Sequence, residues 1–270
     1  MAANTDKTRV SVNSLALTLA AASVFAAPAS AAIVAPSQVA EWATEAVQLT
    51  RGPQDIANPG LGLVTVGTAD SALGARDGSV VSLGDGGSIV LSFAKAIFDG
   101  PGDDFAVFEN GFASGSLVFA ELAFVSVSSN GSDWLDFQSR YDGTQPVSAF
   151  GTLDPASVHN LAGQVAAPNG TGFDLAELTA AAALSGGTID LNAIRFVRLV
   201  DVVGNGSTTD SFGNPIYDPY PTGFASSGFD LDAVGAIHVV PLPAAVWLFG
   251  SALAGVAGMN ARRRAARSGE

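Results

Sequence analysis

The hydrophobic residues of this chain are not placed as one soluble core would need them. Two terminal stretches are apolar on every side, and between them the apolar residues alternate with polar ones. At the start, Lys7 and Arg9 form a short basic region and Leu15 to Ala27 is rich in Leu and Ala. Ala29-Ser30-Ala31 then gives the small-x-small pattern that a signal peptidase accepts. These are the three parts of a secretory signal over residues 1–31, so the mature chain is expected to begin at Ala32 or a near neighbour. An amphipathic first helix would need a polar face, which Leu15 to Ala27 hardly has.

At the other end, Pro241 and Pro243 interrupt the chain, and Ala244 to Met259 is uncharged and apolar apart from Ser251 and three glycines. Arg262, Arg263, Arg264 and Arg267 follow. An apolar span of roughly 16 to 18 residues is at the short end of what crosses a bilayer as a helix. The positive-inside rule would keep the arginines cytoplasmic and the preceding domain outside. The signal peptide implies the same topology. Residues 240–267 are therefore expected to be a transmembrane sorting segment.

The order Val240-Pro241-Leu242-Pro243-Ala244, then a short Gly-containing apolar helix, then Arg262-Arg263-Arg264, resembles the VPLPA variant of the PEP-CTERM sorting signal. The resemblance covers about 27 residues. It implies recognition by an exosortase, a membrane cysteine peptidase, with processing near Pro241 to Pro243. It also implies transient inner-membrane anchoring and the envelope, biofilm or exopolysaccharide setting of a Gram-negative bacterium. The tail Ala265 to Glu270 runs a little past that pattern.

The whole chain carries 12 basic and 25 acidic residues, and Ile33 to Val240 holds six of the first against 23 of the second, a net charge near −17. A duplex-binding surface needs the opposite sign, so nucleic acid is excluded as a partner. An acidic exported domain repels its neighbours or collects cations such as calcium. Cysteine is absent. Thiol chemistry and cysteine metal sites are thereby ruled out, and a domain of about 200 residues holds together without disulfides.

Within residues 32–239, short β-type runs alternate with turns. Ser88 to Phe93 puts Ile89, Leu91 and Phe93 on one face. Phe105 to Phe108 places Phe105 and Val107 opposite Phe108. Glu121 to Ser128 sets Leu122, Phe124 and Ser126 against Ala123, Val125 and Val127. Ile194 to Val200 and Leu231 to Val240 complete the set. Asn130-Gly131 supplies the positive φ of a tight hairpin turn leading to a return strand at Trp134, Leu135 and Phe137, and Gly84 to Gly87 reads as another hairpin turn. One helix is expected, capped by Asp174 with Glu177 completing a capping box and ended by Gly186 and Gly187. The fold class is mainly β: a single antiparallel, jelly-roll-like β-sandwich with one short helix.

Val125 to Gly131 with Trp134, Ile194 to Asp201, and Gly228 to Val234 are similar to segments of discoidin-like and galactose-binding-like sandwiches. That resemblance implies ligand binding by loops, to glycans, lipids or proteins, in some members with a structural calcium.

Candidate ligating residues form two acidic groups. Asp99, Asp103 and Asp104 lie on a Gly-rich bend with Glu109 close behind, though not at EF-hand spacing. Asp201, Asp210, Asp218, Asp230 and Asp232 make the second, in which Asp230 and Asp232 alternate onto one face of a strand start. Three outcomes stay open for these acids: a calcium ion, pairing with Arg195 or Arg198, or plain solvated loops. The cofactor expectation is calcium through Asp99, Asp103, Asp104, Glu109, Asp201, Asp230 and Asp232. Phe212, Tyr217, Tyr220 and Phe224 sit in a long Pro/Gly-rich loop and are candidates for a sugar-binding surface. Packing onto the sandwich would explain them equally.

No catalytic constellation stands out. His159 and His238 are far apart, no Gly-x-Ser-x-Gly elbow is present, and chance carboxylate pairs are plentiful. The leading reading is an exported, non-enzymatic surface or matrix protein, calcium-stabilised and glycan-binding. A secreted carbohydrate-active hydrolase and a purely structural adhesion or coat protein are the alternatives.

Overall fold

The computed structural model describes residues 33–241. The expected signal peptide, the sorting motif beyond Pro241, the apolar span and the arginine cluster lie outside the described residues. Among the described residues no helix is long and apolar enough to cross a membrane.

The domain is mainly β, with two six-stranded antiparallel sheets. In hydrogen-bonded order one sheet runs Ile33–Val34, Gly170–Phe173, Phe105–Glu109, Asp230–Ala236 and Glu41–Trp42, with Val81–Ser82 also pairing to Asp230–Ala236. The other runs Leu135–Asp136, Ala123–Ser128, Ile194–Asp201, Ser88–Ile97 and Glu45–Thr50, with Leu161–Ala162 pairing to Ala123–Ser128.

The alternation read from the sequence decides which side chains meet. Ile89, Leu91 and Phe93 from one sheet and Phe105, Val107 and Phe173 from the other share one buried cluster with Val125, Val127, Val197 and Leu199. At its centre Phe105 stacks on Phe173 with ring centroids 5.3 Å apart, and Phe137 sits edge-on to both. Each such ring contributes about 1.5–3 kcal/mol by leaving water.

The opposite face of Phe105–Glu109 is also covered. Ala106 and Phe108 pack with Val34, Ala233 and Trp42, and the Trp42 and Phe108 rings lie 5.2 Å apart. A strand buried on both faces is apolar throughout, which accounts for the unbroken Phe-Ala-Val-Phe. Outside the second sheet, Leu122, Leu161, Val158 and Ile216 form a further buried layer.

The Asn130-Gly131 hairpin is present. Gly131 has φ +77, Asn130 Oδ1 accepts the Ser132 and Asp133 amides, and Leu135 pairs back with Val127. Asp174 caps the helical segment by accepting the Ala176 amide at 2.8 Å. That segment is a 3-10 turn, Leu175–Leu178, running into a short helix, Thr179–Leu184. Glu177 does not close a capping box; its carboxylate takes the Asn160 side-chain amide instead. Gly84 to Gly87 is a turn but not a hairpin, because Val81–Ser82 before it and Ser88–Ile97 after it belong to different sheets.

Register places the strand ends that matter. Leu231 pairs with Glu109, Asp201 with Ala123 and Val200 with Ser88. The last residues of two strands and the first residues of two others therefore come together at one end of the sandwich.

A candidate ligand pocket at the carboxylate-rich end

Five buried carboxylates converge at that end, with a sixth, Asp85, close enough to raise Asp201 and Asp218. Glu109 closes strand Phe105–Glu109, Asp201 closes Ile194–Asp201, and Asp230 opens Asp230–Ala236. Glu121 lies two residues ahead of Ala123–Ser128, and Asp218 enters from the long loop that follows Asp201. All five are at most 6% exposed.

Backbone and side-chain donors hold four of them in place. Asp201 accepts the Gly86 amide at 2.9 Å and the Phe229 amide at 2.6 Å. Asp218 accepts the Leu122 amide at 2.9 Å. Asp230 accepts the Ser82 hydroxyl and, at 3.0 Å, the Asn110 side-chain amide. Glu109 Oε2 accepts the Gly111 amide at 2.7 Å, while its Oε1 is buried without a partner. Two glycines make room: a Cβ at Gly111 would overlap Glu109 Oε2, and one at Gly204 would overlap Asp218 Oδ1.

Burial pushes all five carboxyl groups up. For Glu121 the next causes are the charges of Asp230, Glu109, Asp218 and Asp201. For Asp201, burial is followed by the charge of Asp218. Asp230 is pushed up to about 6 by burial, against the pull of its hydrogen bonds from Ser82 and Asn110. Loss of solvation and like charge act together here, as they must when carboxylates share a dry site.

The basic residues of the described chain are engaged elsewhere. Arg51 donates to the Val66, Gly67 and Ser82 carbonyls. Arg76 pairs with Asp232 at 3.2 Å, Lys95 with Glu41 at 2.9 Å and Arg140 with Asp142. Arg195 donates to the Ala94 carbonyl, and Arg198 pairs with Asp136 at 3.2 Å beneath the Trp134 ring. Among the described residues, no basic side chain compensates the five carboxylates.

Two of the five open into a cavity of about 200 Å³, lined by Glu121, Asp230, Asn110, Thr222, Ser226 and four phenylalanines. Phe112 and Phe119 come from the paired strands Phe112–Ser114 and Leu117–Phe119 and stack at 5.1 Å. Phe150 and Phe224 come from separate loops and meet at 5.6 Å. Phe150 is 75% exposed, Phe112 57% and Phe224 46%. Three of the four rings are thus apolar surface exposed to water beside two buried carboxylates.

The expected ligating residues divide among three places. Glu109, Asp201 and Asp230 join the five-carboxylate end. Asp99 and Asp104 lie at the opposite end with Asp174, their carboxylate oxygens within 4.8 Å of one another. Asp103 lies close enough for Asp104 and Asp174 to raise its carboxyl further after burial. Oxygen donors at such spacing suit a hard divalent cation, although Asp104 is already held by the Gly100 and Leu175 amides and by His238 Nδ1, each at 2.7 Å.

Asp232 belongs to neither place. A register shift between Leu231 and Ala233 separates it from Asp230, and it binds the Asp77 and Gly78 amides and Arg76. Its basic partner is Arg76, not Arg195 or Arg198. Asp210 is a loop organiser, accepting the Tyr141, Phe212 and Asn214 amides.

Of the loop aromatics, Phe224 alone lines the phenylalanine pocket. Tyr217 packs against the Leu122–Ile216 layer, the Tyr220 hydroxyl donates to Asp55 at 2.8 Å, and Phe212 is half exposed away from the pocket. Phe112, Phe119, Glu121 and Phe150 carry no signal in the sequence that marks them as pocket residues. Glu121 reads as the first residue of a strand, and three phenylalanines scattered over 39 residues carry no local signal of convergence. Set against known proteins, the chain matches no family model and no curated sequence.

Proposed function

We propose that this chain is an exported, surface-sorted, non-enzymatic protein that binds glycan in the phenylalanine pocket. The observation that carries the reading is the pairing of Phe112/Phe119 and Phe150/Phe224 around Asn110, Thr222, Ser226, Glu121 and Asp230. A sugar ring presents an apolar face to an aromatic ring and hydroxyl groups to amides and carboxylates, and this cavity offers both.

A jelly-roll sandwich with loop-borne binding, as the galactose-binding-like resemblance implies, supports the same reading. The terminal segments support the setting: a signal peptide over residues 1–31 and a VPLPA-type signal handed to an exosortase, in the envelope or exopolysaccharide matrix of a Gram-negative bacterium. Calcium at the Asp99, Asp104 and Asp174 end is proposed as a structural clamp.

A hydrolase is the second reading, because Glu121 and Asp230 line one cavity. An acid/base pair needs environments that push its two carboxyl groups apart. Here burial pushes both up, and neither is the lowered partner that such a pair would contain.

The test is a glycan screen of the full-length chain alongside Phe150→Ala/Phe224→Ala, with product analysis of every ligand retained. Binding without cleavage, lost in the double variant, is the expected result. New reducing ends would establish the hydrolase, and binding unaffected by the double variant would place the glycan elsewhere.

A further inference from the structure

The floor of the phenylalanine pocket is made by two carboxylates, Glu121 and Asp230. Glu121 is 6% exposed and accepts no hydrogen bond; Glu109, 1% exposed and buried nearby, has an Oε1 without a donor, and the described basic residues are all committed elsewhere. Burial and like charge drive such carboxyl groups toward their neutral form, and a ligand that brings the opposite charge offsets the cost of ionising them.

The geometry distinguishes between a metal ion and a larger cation. Ligands of one calcium ion sit at about 2.3–2.6 Å from it, so any three of its oxygens fall within about 5 Å of each other. Among the described residues, the one acidic group meeting that spacing is Asp99, Asp104 and Asp174 at the far end. The carboxylates at this end form no such group, and four of them are tied by their own donors: Asp201 by Gly86 and Phe229, Asp218 by Leu122, Asp230 by Ser82 and Asn110, and Glu109 by Gly111. Glu121 and Asp230 border a cavity of about 200 Å³, larger than a bare ion. Above them stand four phenylalanine rings, and an ammonium is the cation that aromatic faces attract, by about 0.5–2 kcal/mol per contact.

We propose that the pocket recognises a primary ammonium carried on a sugar ring, the ring lying against Phe150 and Phe224 and the ammonium reaching Glu121 and Asp230. The preferred ligand class is thus a glycan with free amino groups, such as a de-N-acetylated hexosamine polymer. This rests on the glycan reading above and narrows it. The cavity of about 200 Å³ lies below the range of about 300–1000 Å³ that encloses drug-sized ligands, which suits one ring of a chain rather than a whole oligosaccharide. Asn110, Thr222 and Ser226 line the same cavity and supply partners for neighbouring hydroxyl groups. An N-acetylated ring removes the positive charge and adds a bulky neutral amide where the carboxylates need a cation.

Titration calorimetry of the full-length chain with glucosamine oligomers and with their N-acetylated counterparts tests this, with and without EDTA. The free-amine oligomers should bind at least about tenfold more tightly, the scale of one charge-assisted contact, and EDTA should change nothing. Glu121→Gln should erase that preference without lowering the thermal midpoint, since it removes a repelling charge without changing shape or breaking a hydrogen bond; Asp230→Asn should erase it too, with a lower midpoint because the Ser82 and Asn110 donors lose a charged acceptor. Equal affinity for both oligomers, lost in Phe150→Ala/Phe224→Ala, would overturn the ammonium assignment and leave the glycan reading standing. Binding abolished by EDTA and restored by CaCl2 in Asp99→Asn as well as in wild type, at a temperature where both stay folded, would put a metal at the floor and overturn it as well. No binding of either oligomer, with none of any glycan, would remove both readings.

Discussion

Asn110 donates its side-chain amide to Asp230 at 3.0 Å across 120 residues of chain, joining the exposed rim of the phenylalanine pocket to its buried floor. Asn110 follows the strand that ends in Glu109, and Asp230 begins the neighbouring strand, so one hydrogen bond fixes where two loops leave one sheet. Removing it in Asn110→Ala leaves Asp230 with the Ser82 hydroxyl as its remaining donor. A hydrogen bond to a charged group is worth about 1.5–3 kcal/mol. Chemical denaturation should show a loss of that order without a change in the denaturant slope. A stability equal to wild type would mean that the amide is a surface contact and does not organise the pocket.

Asp210 controls the loop that delivers Asp218. Burial pushes its carboxyl up, but hydrogen bonds from Asn214, Tyr141 and Phe212 together outweigh it and hold the group below its ordinary 3.8. A folded value lower than the unfolded one means stability that is complete above about 4 and lost as pH falls through the lower folded value. Thermal midpoints measured from pH 5 down to pH 2 should therefore fall more steeply for wild type than for Asp210→Asn, which has no carboxyl to protonate. Parallel curves would show that Asp210 contributes nothing to the acid limb.

Calcium should act at the other end of the sandwich. A cation bound only by the folded state adds about 2.7 kcal/mol at a hundredfold excess over its dissociation constant. Melting of the full-length chain should shift upward with CaCl2 and back with EDTA, and Asp99→Asn or Asp174→Asn should blunt the shift while Glu121→Gln leaves it intact. If neither calcium nor EDTA moves the midpoint, these acids are loop caps and the structural clamp is absent.

Much of the fold was legible because the central strands are periodic. Ser88–Ile97, Phe105–Glu109, Ala123–Ser128 and Ile194–Asp201 fall where the sequence placed them, and Asp230–Ala236 covers the start of the expected Leu231 to Val240 run but stops at Ala236. Gly170–Phe173 was not legible. Its Gly170 lies against the Val107 carbonyl and the Phe108 ring, so close packing requires a residue with no β preference. Glu45–Thr50 escaped for another reason: it is an edge strand, mostly exposed, with no apolar face to announce it. The site divides in the same way. Glu109, Asp201 and Asp230 lie at the ends of periodic strands and were found. Asp218 belongs to the same acidic group read from the sequence, but Glu121 reaches the place through loop conformation, and Phe112, Phe119 and Phe150 through contacts that no short window contains.

The terminal segments carry their own prediction. Deleting residues 240–270 removes the proline motif, the apolar span and the arginine cluster together. Cell fractionation should then find the chain released from the envelope and soluble, with its melting behaviour unchanged. A truncated chain that stays with the membrane would contradict the sorting assignment.

The central claim is that the four phenylalanines and the buried carboxylates form one receptor for an amino sugar. A crystal structure of the full-length chain with a glucosamine oligomer tests it most directly. The expected density places a sugar ring against Phe150 and Phe224, with its nitrogen within about 3 Å of a Glu121 or Asp230 oxygen, the distance of a charge-assisted hydrogen bond. An oligomer seated on any other surface, or a metal ion coordinated among Glu109, Glu121 and Asp230, would contradict the claim.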